Sequence, residues 1–589
     1  MLKRRIDKLL SEENSRQLYC LLLLCILCII VAVFISYFVF ADGVLMWQDV
    51  VGLFLDPGVF GSFSNKGHDL FRLSIALLSV FLFSSMLVSV FTNIFQNISS
   101  AVREGRRRYN LTGHVLILGS GGHCESIVTE LLKDGKTVVI LTSTKKDFPA
   151  DAIFYSGNYT DREELKKTRP EKAETIYILG EDEDDSHDAN NLRTLDVLKK
   201  LTRKSSERKI HCYIVVQEFS TSKLLYYTTD KSSAEDAIML VDILNVYEYE
   251  AEQLLVNTDF LPAIRSQEEG YSHVFVIGKT SAAKAVAFTV AHLSHYPNFK
   301  SGRKTCITMV DVDIRSWMDD FIASRPTVFE MSEYSYISSN GDERRYCPKG
   351  IFGDFLDVRW EFVDAHATSE IVRERILQSL ENKNCRTSVV VCQESANEAI
   401  DSLLNLPAEV FQRSYWTPDE MKNDVSLAVY LRHSSDVMNL LERTGMFGGV
   451  KVFGCCAENP LLDRRSRYGK RVNYVYAKKY AAPEDLKTED EEWYSLCEMD
   501  KFSSIYCANF MVFSQRFCGS EDMWQKVMCE MEHRRWNMAM LLMGYKYVDV
   551  AKRDKRWYVH PDIVPFECLS EEEQNKDRDL IDARSEILR

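Results

Sequence analysis

Apolar and polar positions are distributed unevenly along the chain. Residues 18–40 and 73–95 are uncharged runs of 23 residues each, and crossing a hydrocarbon core takes roughly 20. The pattern predicts two membrane-spanning helices with some tilt. A cleaved leader is the competing reading of the first run, because Lys3, Arg4 and Arg5 precede it. The run is longer than the roughly 7–15 apolar residues of a leader, and no clean small-residue cleavage site follows. Lys8 and Arg16 add to the first flank, and Arg103, Arg106, Arg107 and Arg108 follow the second run. Positive flanks mark the cytoplasmic side. The expectation is a multi-pass protein of the cell membrane, in contact with the lipid bilayer, with both termini cytoplasmic and 41–72 outside.

Between the runs, 44–55 (VLMWQDVVGLFL) is apolar apart from Gln48 and Asp49. It is too short to span and reads as a re-entrant segment, 44–62 in all, that breaks at Asp56-Pro57-Gly58-Val59-Phe60-Gly61. Irregular backbone at membrane depth survives only where protein buries it or water lines it. Asp56, Gly58, Val59 and Gly61 are therefore the candidate pore residues, and an ordinary external loop is the alternative. No TVGYG occurs, so a potassium-type carbonyl filter is not indicated. Two spans cannot enclose a pore alone, so conduction requires several subunits.

From residue 111 the period changes. His114 to Leu118 reads as a buried strand, Gly119, Gly121 and Gly122 as a turn, Glu125 to Lys133 as a helix, and Val138 to Thr142 as a second strand. Such glycines let a phosphate approach a helix N-terminus. Cys124 takes the place of the third glycine, and Thr142 that of the acid that would hold a ribose. A second, more degenerate copy opens at His273, with Gly278 alone in its turn and Asp311 at the ribose-acid position. Lacking a glycine loop, it reads as structural. The acidic run Glu181 to Asp185 is a divalent-cation candidate or a solvated loop.

Length and charge narrow the classes. At 589 residues the chain needs three or four folded units, and a net charge of −14 argues against nucleic acid as a partner. The sixteen cysteines are scattered; Cys455 and Cys456 are adjacent, which suits neither a tetrahedral metal site nor a mutual disulfide. No metal site and no catalytic constellation emerge, so the chain is read as a non-enzyme. Residues 1–110 read as a pore-like domain, 111–265 and 266–456 as two Rossmann-like α/β domains, and 457–484 as a linker with a short strand at 472–477. Residues 485–589 read as a small, mainly α-helical module.

Two resemblances carry these units further. The turn Gly157-Asn158-Tyr159-Thr160-Asp161, a following helix and the strand from Ala173 resemble the regulator-of-potassium-conductance (RCK) family. That likeness implies tandem domains forming a gating ring, with Gly119, Gly121, Gly122 and Asp161 at a nucleotide crevice. The whole order is similar to the CASTOR/POLLUX group of channel proteins, from whose filter the Asp56-Pro57-Gly58 loop departs. The series from Trp493 through Met531-Glu532-His533-Arg534-Arg535-Trp536, Gly544-Tyr545 and His560-Pro561 resembles the ryanodine-receptor (RyR) repeat domain.

Glu532, Arg535 and Trp536 fall at i, i+3 and i+4 and share one helix face, with His533 adjoining. With Tyr545 and His560 nearby they suit a planar, charged ligand, or else a buried ion pair with a core tryptophan; both readings stand. The resulting expectation is a ligand-gated ion channel, cation-conducting, assembled as a homotetramer and sensing a small nucleotide-like ligand, its cofactor otherwise unknown. A non-conducting nucleotide-signal receptor and a membrane-tethered NAD-dependent oxidoreductase are the alternatives.

Overall fold

The computed structural model describes residues 14–39, 47–55, 66–122, 124–144, 148–182, 184–202, 209–218, 221, 224, 239–266, 269–415, 425–432, 447–454, 462–482, 484–516 and 522–589. The candidate pore residues Asp56, Gly58, Val59 and Gly61 lie outside these.

The N-terminal unit contains α1 (Asn14–Val39), α2 (Trp47–Leu55) and α3 (Lys66–Arg103). The described part of the short α2 runs to Leu55. It buries Val50 and Leu53 in a small core with Ala32, Ile75, Ala76 and Leu82. The opposite faces leave Leu27, Phe34, Leu77, Phe81, Val88 and Phe95 exposed. An apolar surface of that extent is rare on a protein surrounded by water. Among the described residues one helix, Asp69–Arg103, is long and apolar enough to cross a membrane, and Cys25–Phe38 is a shorter apolar stretch.

Two largely parallel sheets follow. The first has the order β3-β2-β1-β4-β5-β6, from β1 (Val115–Gly119), β2 (Val138–Thr142), β3 (Ile153–Ser156), β4 (Thr175–Gly180), β5 (Ile210–Val216) and β6 (Met239–Asn245). This is the doubly wound order, whose direction reverses between β1 and β4. β1, β2 and most of β4 are buried along their length, which is why they read as continuous apolar runs rather than alternations.

The second sheet repeats the order as β11-β8-β7-β12-β13-β14 and adds the antiparallel hairpin β9–β10 beyond β11. Its strands are β7 (Tyr271–Ile277), β8 (Thr305–Asp311), β9 (Tyr334–Ile337), β10 (Glu343–Tyr346), β11 (Val358–Asp364), β12 (Cys385–Val391), β13 (Val425–Tyr430) and β14 (Val450–Phe453). The degenerate glycine loop therefore did not cost the unit its topology.

The C-terminal module is built on α4 (Leu462–Tyr480), α5 (Glu498–Ser514), α6 (Asp522–Leu542) and α7 (Glu571–Asp582). The expected linker strand at 472–477 is instead part of α4. Tyr468, Val472 and Val475 recur at helical spacing and pack on Cys507, Ala508 and Met511 of α5. Gly469 permits that approach: a Cβ there would stand 2.9 Å from Ile505 and 3.2 Å from the Trp493 ring.

The module is fused to the Rossmann-like units. One apolar core runs from Ala251 and Phe260 through Phe288 and Trp360 to Phe502, Met531 and Ile563. His292 stacks on Tyr506 at 4.3 Å, and the Thr327 hydroxyl donates to the Leu541 carbonyl at 2.8 Å. Arg534 lies over the Phe299 ring at 4.1 Å and donates to the Phe355 carbonyl at 2.7 Å.

Candidate ligand cavity

The two recesses singled out from sequence are built differently. At the first Rossmann crevice, Gly119 has φ +87°, and a Cβ there would meet the Gly180 carbonyl oxygen at 2.2 Å. The amide of Gly121 donates to that same carbonyl at 2.9 Å. These glycines thus serve the backbone crossing of β1 and β4, whatever else they do. Gly122 completes the turn. Asp161, expected at the nucleotide, is the N-cap of the helix Arg162–Lys167: one carboxylate oxygen accepts from the amides of Glu163 and Glu164 at 2.8 and 3.0 Å.

The crevice mouth is occupied by protein. Glu181, directly after β4, accepts hydrogen bonds from the hydroxyls of Ser120, Thr142 and Thr144. The residue that replaced the ribose acid, at the end of β2, is thus tied to a carboxylate that follows β4. The Glu181 carboxylate stands between the glycine turn at Ser120 and the position at Thr142 where an acid would hold a ribose. Within the acidic run, Asp184 accepts from Asn190 at 2.7 Å and from the Ser186 amide at 2.9 Å. Beside it Asp182 pairs with Arg432 of the second unit at 3.0 Å.

At the second crevice a Cβ on Gly278 would meet the Cys392 carbonyl oxygen at 2.1 Å. Asp311 accepts from the Val312 amide at 2.7 Å, with Lys279 3.9 Å away. Burial raises the Asp311 carboxyl, and Lys279 partly offsets it.

The C-terminal module holds a cavity of about 720 Å³. Four helices and the loop after α6 wall it. Val472, Asn473 and Tyr476 come from α4, Asp500, Ser503 and Ser504 from α5, and Glu532, His533, Arg535 and Trp536 from α6. Lys552, Arg553, His560 and Asp562 come from the loop, and Lys576 and Asp577 from α7. The sequence-predicted face is therefore brought together.

Tyr545 is the exception. It is buried behind the wall, its ring 5.4 Å from Tyr558 and 6.4 Å from His560. The contributions of α4 and α5 were missed, because a residue pointing at a cavity from a different helix leaves no periodic trace. The Tyr468, Val472 and Val475 spacing was the available signal for α4.

The cavity floor is an ion pair. Arg535 Nε and Nη2 donate to the two Glu532 carboxylate oxygens at 3.0 and 2.6 Å, and each residue is 1% exposed. Burial raises the Glu532 carboxyl above its usual range, with Arg535 opposing; burial would lower the guanidinium, but Glu532 outweighs it.

That side-on arrangement leaves Nη1 over, and Arg535 Nη1 is buried with no hydrogen-bond partner among the described residues. His533 bonds the Val564 carbonyl at 2.9 Å and stacks on Trp536 at 5.5 Å. Trp536 meets His560 edge-on at 4.8 Å. Burial, aided by Arg553 and Lys576, pushes His560 down to about 4, so it is a neutral imidazole at pH 7. Burial pushes the Asp500 carboxyl up, but Arg553 and Lys555 outweigh it and hold it below the usual range.

One wall of the cavity is clamped to the first sheet. Next to Asp500 on α5, buried Lys501 bridges Glu498 at 2.8 Å and Asp242 of β6 at 3.3 Å. The hydroxyl of Tyr494 reaches the same Asp242 carboxylate at 3.2 Å.

The fold and the cavity define a chain with tandem parallel α/β units carrying a helical ligand-cavity module. No family model matches the sequence, and no curated protein matches it. Among solved structures the chain is similar to the GsuK channel. One, bound to ADP, has 12% identity, TM-score 0.36 and cover of 75% of this chain and 96% of that one. Another, bound to NAD, has 11% identity, TM-score 0.37 and cover of 76% and 82%. The human SLO3 gating ring has 11% identity, TM-score 0.32 and cover of 55% and 74%. At these scores the likenesses carry no argument, and the functional reading rests on the geometry.

Proposed function

We propose that this chain is a ligand-gated ion channel, cation-conducting, whose C-terminal RyR-like module is its sensor. The reading includes two spans per chain, cytoplasmic termini, homotetrameric assembly through an RCK-like ring, and action by binding rather than turnover. One observation carries it: a cavity of about 720 Å³ whose floor holds a buried guanidinium with an unmet nitrogen, and whose wall helix is bolted to the first sheet. Asp500 on the cavity wall and Lys501, tied to Asp242 of the first sheet, are neighbours on the same helix. The exposed apolar faces of α1 and α3 support a lipid environment.

The energetics are modest. Moving a channel from 1% to 99% open takes about 5.5 kcal/mol of differential binding, or roughly 1.4 kcal/mol for each of four subunits. One stacked indole with one charge-assisted contact supplies that much. A non-conducting membrane-anchored receptor is the second reading, favoured by the single qualifying span among the described residues. Purified protein in planar bilayers tests the choice: ligand-dependent current supports the channel, and its absence in protein shown to bind ligand supports the receptor. A monodisperse dimer in nanodiscs would count against the tetramer.

A further inference from the structure

We infer that His273, Cys306 and Glu361 form a buried site for a thiolate-preferring divalent cation of the zinc class, inside the second Rossmann-like unit. The site lies on different elements from the C-terminal cavity and stands independently of the channel reading.

Three neighbouring strands build it. In the parallel register His273 of β7 pairs with Cys306 of β8, and Thr308 of β8 pairs with Glu361 of β11. Side chains two apart on a strand share a face, so all four point to one side of the sheet. Further along that face Phe275, Val310 and Val363 form an apolar core with Val372 and Ile376 of the helix Glu370–Glu381. At the level of His273 the core gives way to groups that are costly to bury. His273 is 7% exposed, Cys306 and Thr308 are fully buried, and the Glu361 side chain is 12% exposed. No ligand spacing in the sequence announces the cluster, because its donors come from separate strands.

One ligand atom from each of His273, Cys306 and Glu361 lies within 4.8 Å of the others. Three such atoms surround the Thr308 hydroxyl, which is 2.8 Å from His273 Nε2, 3.0 Å from Glu361 Oε2 and 3.8 Å from Cys306 Sγ. Tetrahedral zinc holds its ligand atoms about 3.5 Å apart, so a closure of about 1 Å by side-chain rotation completes the site. The fourth position falls beside the Thr308 hydroxyl.

The donor set selects the metal. Imidazole, thiolate and carboxylate together are zinc ligands, whereas magnesium and calcium take oxygens. The supporting contacts are also in place. A ligating histidine fixes its other ring nitrogen by a hydrogen bond, and the Ser379 hydroxyl lies 3.3 Å from His273 Nδ1. Ser379 is itself held by the Thr387 hydroxyl at 2.7 Å. The guanidiniums of Arg359 and Arg375 stand 3.8 and 3.7 Å from Glu361, beyond the short bonds of a committed ion pair. Both arginine side chains reach solvent, which gives an ion a way in. Binding displaces the Cys306 proton to solvent. A doubly charged ion with one thiolate and one carboxylate is neutral, so the guanidiniums do not oppose it.

The test uses the full-length protein in nanodiscs, stripped with chelator and dialysed against Zn²⁺ or Co²⁺. The expected result is one zinc per chain by elemental analysis and a melting temperature raised by Zn²⁺ but not by Mg²⁺. Co²⁺ should give the near-ultraviolet charge-transfer band of a thiolate ligand. Cys306→Ser and Glu361→Gln should each lose the zinc and the stabilisation, and Cys306→Ser the band as well. Ser379→Ala should weaken zinc affinity roughly 10–100-fold. Replacing the exposed Cys347 and Cys568 by serine should change nothing.

Metal-free melting temperatures report whether each variant folds. Should Cys306→Ser unfold, Glu361→Gln decides, since its carboxamide still accepts from Thr308. The inference is overturned if the parent binds no zinc, or if either folded ligand variant binds it like the parent. Loss of the zinc with Cys347 and Cys568 would mean surface binding only, and would overturn it too.

Discussion

In the first Rossmann crevice the Glu181 carboxylate gathers the hydroxyls of Ser120, Thr142 and Thr144. In the C-terminal cavity the Arg535 guanidinium has one carboxylate partner and a nitrogen left over. Both recesses hold a charged group, but among the described residues the first has its hydrogen bonds met within the chain and the second keeps an unpartnered nitrogen. A glycine-rich turn therefore does not by itself announce a ligand. At Gly119 the reason for glycine is the Gly180 carbonyl, which any side chain would strike. Unmet hydrogen-bonding capacity is the more discriminating sign, because a fold tolerates it only at a cost.

The largest expected effect breaks the cavity side of that comparison. Arg535→Ala would leave Glu532 buried without its partner, and removing one member of a buried pair costs about 3–5 kcal/mol. Denaturant unfolding should show a loss of that size, whereas exchanging both residues for apolar ones of similar volume should restore much of it. Near-parental stability of Arg535→Ala would mean that the pair is not buried in solution.

The seam beside the first crevice should respond to pH. The Glu250 carboxyl accepts from Tyr430 at 2.9 Å, and burial, opposed by Arg432, pushes it up to about 8. The folded protein then holds a proton that the unfolded chain releases above its ordinary value near 4.5. Stability from this group is full below about 4.5 and is lost as pH rises toward about 8, by up to about 5 kcal/mol. Glu250→Gln should flatten that slope in melts taken across this range, and an unchanged slope would assign it to another group.

Opening the crevice is a smaller perturbation. Glu181→Ala strands three hydroxyls, those of Ser120 and Thr142 on fully buried residues, for a loss of about 1–3 kcal/mol. If the carboxylate is what keeps nucleotides out, the variant should gain ADP binding in calorimetry that the parent crevice lacks. Gain of binding would make the crevice a blocked site, and no gain would make it a structural one.

Trp536→Ala sharpens the cavity side at the least cost. Its ring is half-buried against His533 and His560. Losing a stacking face worth about 1 kcal/mol should raise the activating concentration roughly five- to tenfold in bilayer recordings. An unaltered concentration would remove Trp536 from the ligand contact.

The sequence by itself determined the elements whose signal is local. Runs such as Val138 to Leu141, buried on both faces, could only be interior parallel strands. The i, i+3, i+4 spacing placed Glu532, Arg535 and Trp536 on one face, and the structure sets them at one cavity. Short apolar stretches were the weak point. VNYVYA at 472–477 carries valines and tyrosines that suit a strand, yet the neighbours that decided its conformation, Cys507, Ala508 and Met511, lie far along the chain.

Tertiary structure alone decided which carboxylate faces which donor. Nothing near Thr142 in sequence indicates Glu181, and nothing near Arg535 indicates that α4 lines the same cavity. Hydrogen bonding reaches about 3 Å in space without regard to separation along the chain. Periodicity could therefore specify helices and strands, while the filling of one recess and the opening of the other emerged only when the sheets and helices packed.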